Sequence, residues 1–159
     1  MKLKYLKNHY NNELFLFEVD EEGTVYRQVT HIQDTILNSA RPKEGYHFFL
    51  ADQEIKENAH LFPIDKDEFE IEWLFSIDPY HEEWNQTIKE IYVGMKVVGS
   101  FEVNYPQGII LNLGNNRFGV MKIDTNFLNS YVTPNRKINA EVVGYDYENF
   151  WLILKEVLE

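Results

Sequence analysis

A mainly β protein of the α+β kind is predicted, in two parts: an acidic, β-rich region first and a small five-stranded barrel after it. Three observations predict it. Runs of strand-forming residues alternate with glycine, proline and asparagine punctuation along the chain. Charge divides unevenly, with nine Lys and Arg against nineteen Asp and Glu in residues 1–93, and six against seven in residues 94–159. From Gly94 the punctuation comes about every ten residues, the rhythm of a small barrel or sandwich. The 159 residues are 44% hydrophobic and 15% aromatic, enough apolar surface for one or two cores of ordinary size, which argues against a disordered chain.

The first part opens with a hairpin. Residues 13–19 and 24–30 are rich in Phe, Leu, Val and Tyr, and Asp20-Glu21-Glu22-Gly23 between them ends in a glycine able to take positive φ. A helical turn is expected around 32–38 and a loop at Arg41-Pro42-Lys43-Glu44-Gly45. Residues 46–51 and 69–77 read as further strands, the second alternating Phe69, Ile71, Trp73 and Phe75. Asp65, Asp67, Glu68, Glu70 and Glu72 then read as acids on the solvent side of that strand. Asp78 followed by Pro79 is a helix start, and Trp84, Ile88 and Ile91 recur at helical spacing up to Gly94. The expected organisation is an acidic domain over 1–78, a linking helix over 79–93 and a barrel domain over 94–159.

Five strands are expected after Gly94: 96–104, 108–113, 117–123, 137–145 and 150–155. Asn115-Asn116 makes the tight turn between the second and third, and 124–134 is a longer connection in which such barrels often place a short helix. Five strands at this spacing suit an OB-fold. Gly99, Gly108 and Gly119 fall where a small barrel coils sharply or lets another backbone approach, the alternative being ordinary turn or bulge glycines.

The run Gly94-Met95-Lys96-Val97-Val98-Gly99, followed by Gly108-Ile109-Ile110-Leu111-Asn112-Leu113, by Gly119-Val120-Met121-Lys122-Ile123, and by Ala140, Val142, Asp146 and Leu154, resembles the S1-type RNA-binding OB-fold. The helix around Trp84 resembles the linker helix that precedes many S1-type repeats. The resemblance implies a single-stranded RNA ligand on the outward face of the barrel, bound by base stacking and phosphate contacts. At the positions where the family usually carries aromatics this chain has Gln107, Ile110 and Val120, and Lys122 stands where the family has a histidine. Trp151 takes the place of a common arginine, and Phe118 with Arg117 beside it completes the implied face. The candidate nucleic-acid site is therefore Lys122, Trp151, Phe118, Arg117, Gln107, Ile110 and Val120.

Strand parity puts Ile109, Leu111, Leu113, Met121, Ile123, Leu152 and Leu154 inside the barrel and Ile110, Asn112, Phe118, Val120, Lys122, Trp151 and Ile153 outside. An outward face holding Ile110, Val120, Trp151 and Ile153 is more apolar than a wet groove requires, and such a patch is normally covered. The competing expectation is thus an acidic protein-interaction module, of inhibitor or immunity type. In it the first part covers the barrel face and the acid meets a basic protein. Double-stranded DNA is not expected as a partner, because no basic stripe is present.

No enzyme is expected. The chain has no cysteine, no Gly-rich phosphate loop and no nucleophile elbow, and its five histidines show no i, i+4 pair for a metal. No cofactor is implied. Arg27 and Arg41 are too isolated to define an anion site, and the aromatic first part reads as core. The absence of cysteine, of a secretory signal and of any apolar run approaching the ~20 residues of a membrane span makes the cytoplasm the expected compartment and excludes a membrane partner.

Overall fold

Asn11 and Asn12 adopt φ of 49° and 66°, a left-handed pair that asparagine tolerates and that tight hairpins require. They fold β1 (Lys4–Tyr10) back on β2 (Glu13–Val19), with Tyr10 opposite Glu13 and Lys4 opposite Val19. The next reversal is built by Asp20, whose Oδ1 accepts hydrogen bonds from the backbone N–H of Glu22 and Thr24, both at 2.9 Å. β3 (Val25–Ile32) follows antiparallel to β2, as the hairpin pattern predicts. The computed structural model describes residues 1–124 and 136–158, and the chain divides into two compact units, Met1–Pro79 and Tyr80–Glu159.

Within the first unit, β4 (Thr35–Asn38) pairs with β3 and β5 (Phe62–Ile64) pairs with β1, giving the antiparallel order β4-β3-β2-β1-β5. The segment 32–38 is thus a hairpin and not the expected helical turn. Gln33 supplies the positive φ of 54° at its tip, where neither glycine nor asparagine signals it.

Residues 69–77 correct a second expectation. They belong to α1 (Lys66–Ile77), not to a strand. Asp65 caps it by accepting the Glu68 backbone N–H at 2.8 Å. Phe69, Trp73, Ser76 and Ile77 are buried at i, i+4, i+7 and i+8, so the helical period decides the fold although Phe69, Ile71, Trp73 and Phe75 also alternate. Ile71, Leu74 and Phe75 lie on the other side of α1 and are 61–68% exposed.

The acids of this segment therefore flank a helix. Glu68 receives Lys7 at 3.0 Å, Glu72 meets His31 at 2.9 Å, and Glu70 meets Arg27, all three partners reaching up from the sheet. The opposite sheet face carries a separate core of Leu6, Phe17, Val19, Val25 and Leu61, against which Phe15, Leu50, Ala51 and Ile55 pack. Residues 46–51, expected as a strand, instead run irregularly over that face. The Gln28 side-chain oxygen accepts the Ala51 N–H at 2.8 Å.

In the second unit α2 (His81–Glu90) follows a 3-10 turn over Asp78–Tyr80. Asp78 closes α1, its N–H bonding to the Leu74 carbonyl, and Tyr80 takes the N-cap position of α2 in place of the expected Asp78. Five strands then close into a barrel: β6 (Lys96–Tyr105), β7 (Gly108–Gly114), β8 (Arg117–Met121), β9 (Lys137–Asp146) and β10 (Trp151–Glu156). Going round, the order is β10-β8-β7-β6-β9, and β10 runs parallel to β8 while every other pair is antiparallel. This barrel is compatible with an OB-like fold. The expected connection over 124–134 lies outside the described residues beyond Asp124.

Two glycines let the barrel close. A Cβ on Gly119 would sit 2.5 Å from Leu154 Cδ1, so the absence of a side chain is what admits Leu154 to the interior. Gly108 has φ of 144°, and a Cβ there would meet the Met121 carbonyl oxygen at 2.5 Å. Ile109, Leu111, Met121, Leu152 and Leu154 are buried, in keeping with the strand parity, while Leu113 and Ile123 are half-buried near the barrel ends. Among the described residues no helix is long and apolar enough to cross a membrane.

Candidate nucleic-acid interface

The strands β7, β8 and β10 carry the residues that the sequence nominates for RNA, and their placement divides into three. Ile110 and Trp151 are fully buried at 0% exposure, and Phe118 and Val120 are also buried. The Trp151 ring lies 6.0 Å from the Tyr105 ring, tilted by 42°. A ring placed there offers no open π-face to a base. Strand parity assigns which side of the barrel wall a residue occupies, and it carries no information on whether that side is covered.

Arg117 is half-buried and ion-paired with Glu90 of α2, whose carboxyl is held below its usual range by hydrogen bonds from Gln86 and Arg117. A guanidinium committed in this way has less to give to a phosphate. Lys96 and Lys155 are likewise both drawn to Glu141, and the hydrogen bond from Lys96 holds that carboxyl low.

Ile110 and Val120 are cross-strand partners but buried, whereas Lys122 and Gln107 are brought together where solvent reaches them. Lys122 is exposed just beyond β8, and Gln107 is half-buried in the β6–β7 turn. With Tyr105 and Pro106 they line an open depression of about 240 Å³. Burial pushes the Tyr105 hydroxyl far above its ordinary pKa, so it stays a neutral wall at any physiological pH. In OB-type barrels the turn after the first strand is one of the regions that touch ligand. The seven nominated residues therefore do not form one surface.

Sequence reasoning missed a buried ionic cluster in the first unit. Arg27 is 1% exposed on β3, donating from Nε to Glu18 at 2.9 Å and from Nη2 to Glu18 at 2.6 Å and to Glu70 at 2.5 Å. Its guanidinium also lies 4.9 Å from the Phe69 ring centre and 5.0 Å from that of Trp73. Tyr5 completes the group by donating its hydroxyl to Glu18 at 3.1 Å. Two carboxylates saturate the cation, so the cluster fastens α1 to the sheet and takes no anion. The cross-chain pairing of Arg27 with Glu18 and Glu70 follows from register and helix position, which no local motif announces.

Among the described residues no group of three or more His, Asp or Glu side chains is arranged to hold a metal ion. No family model matches this chain, and no curated protein matches it in sequence.

Proposed function

We propose that this protein is a non-catalytic protein-binding module, in which the barrel serves as scaffold and an acidic surface meets a basic partner. The observation that carries this reading is the burial of Ile110, Phe118, Val120 and Trp151, which leaves the outward barrel wall without the aromatic platform that single-strand binding needs. The formal net charge of −11 adds to it, because acid of this density repels a phosphate backbone within a Debye length, roughly 8–10 Å at physiological salt.

A second reading, single-stranded RNA binding in the manner of S1-type domains, draws support from the closed five-stranded barrel and from Lys122 beside the β6–β7 turn. One titration separates the two. A fluorescein-labelled single-stranded RNA is titrated with the protein at low ionic strength, and no saturable change in anisotropy is expected. Saturable binding that is weakened by added salt and by Lys122→Glu would overturn the protein-binding reading in favour of RNA.

A further inference from the structure

α1 carries apolar side chains on two sides. Its inner stripe, Phe69, Trp73, Ser76 and Ile77, is buried in the first unit, and its flanks are held by Glu68, Glu70 and Glu72. Its outer stripe follows the same period one side round: Asp67, Ile71, Leu74, Phe75 and Asp78 stand at i, i+4, i+7, i+8 and i+11, and all five are exposed. A helix that only packs on a sheet has no use for three large apolar side chains in water. Each of them is more than three-fifths exposed, and they adjoin one another on the helix surface.

The ends of the stripe say what fits it. Asp67 and Asp78 bracket the apolar triad, about 16 Å apart along the helix axis. A second copy of this chain is a poor occupant. Two such stripes laid antiparallel set Asp67 against Asp78, and laid parallel they set each aspartate against itself, so carboxylate faces carboxylate in either direction. A partner that is apolar in the middle and cationic at both ends satisfies every position. We infer that the outer face of α1 docks a basic amphipathic helix of another protein. Two or three Leu- or Ile-sized side chains of that helix pack on Ile71, Leu74 and Phe75, and Lys or Arg about three turns apart pairs with Asp67 and Asp78. This inference rests on the protein-binding reading and gives it a site and a partner chemistry.

The probe is a synthetic helical peptide of about four turns with a leucine stripe and a lysine at each end of that stripe, beside a control with glutamates for the lysines. Binding to the full chain is followed by fluorescence anisotropy, with circular dichroism melts to verify folding. The lysine peptide is expected to bind and the glutamate peptide to fail. Ile71→Ser together with Phe75→Ser should weaken binding by tenfold or more while leaving the melt unchanged, since both side chains lie in solvent. Asp67→Lys with Asp78→Lys should reverse the preference toward the glutamate peptide, a gain that unfolding cannot produce. Lysine-peptide binding that ignores all four substitutions would overturn this site and leave the protein-binding reading standing on another surface. No peptide binding together with Lys122-dependent RNA binding would overturn both. A dimer in sedimentation that Phe75→Ser dissolves would replace the basic partner by a second copy and overturn the inference.

Discussion

Replacing Arg27 by methionine keeps most of the side-chain volume and removes the charge. Glu18 is then left with its side chain 5% exposed and the Tyr5 hydroxyl as its remaining hydrogen-bond donor of the cluster, while Glu70, 28% exposed, can turn to water. Breaking a buried pair by deleting one partner costs about 3–5 kcal/mol, because the surviving charge stays in a poorly solvating interior. A unit of the size of Met1–Pro79 has a total stability of about 4–12 kcal/mol at the usual per-residue value. The substitution therefore removes between a quarter and all of it. At roughly 4–8 °C per kcal/mol for a domain this small, the unfolding midpoint falls by at least about 12 °C.

The assay must resolve the two units, since a chain of two compact units need not unfold in one step. Hydrogen exchange read by mass spectrometry over peptides from β2, β3 and α1 should show lost protection, with peptides from β6 to β10 unchanged. Arg27→Met combined with Glu18→Gln should recover much of the loss, because the stranded charge has gone. A single substitution costing under about 1 kcal/mol, or a double no better than the single, would refute the argument that an unpaired buried carboxylate sets the magnitude.

Alkaline pH tests the same cluster from the side of Tyr5, whose hydroxyl is pushed up to about 12 by burial and by the neighbouring Glu18. Below pH 10 folded and unfolded chains hold this proton equally. Between pH 10 and about 12 the unfolded chain releases it while the folded chain keeps it, so the urea midpoint of the first unit should fall across that window, and fall less steeply in Tyr5→Phe. In the barrel, Trp151→Ala should cost about 3–5 kcal/mol, the price of truncating a fully buried ring. A near-neutral result in a denaturant titration would restore Trp151 to the list of open stacking residues.

The barrel was the legible half. Gly94, Gly108 and the Asn115-Asn116 turn punctuate it so regularly that the expected strands end within a residue or two of the observed ones. Positive φ at Asn115 and Asn116, 55° and 58°, matches that turn signal. The same signal at Asn11-Asn12 announces the β1–β2 hairpin, but Lys4, Lys7, Asn8 and His9 make β1 too polar to read as a strand. Residues 69–77 satisfied two periods at once, and the arbiter lay upstream, in Asp65 three residues before Glu68, a helix-capping spacing. The candidate site was less legible than the fold. Parity assigns Ile110, Phe118, Val120 and Trp151 to one side of the barrel wall, and it carries no signal of the burial that the structure gives them.

The barrel has no free edge because β10 bridges β8 and β9. Of its five strands β10 is made last, so a ribosome displays the other four as an open ribbon before the ring can shut. During that interval β8 and β9 offer raw hydrogen-bonding rims, and the lining that Leu152 and Leu154 will seal stands bare. A chain cut ahead of Trp151 is therefore expected to associate through those two rims.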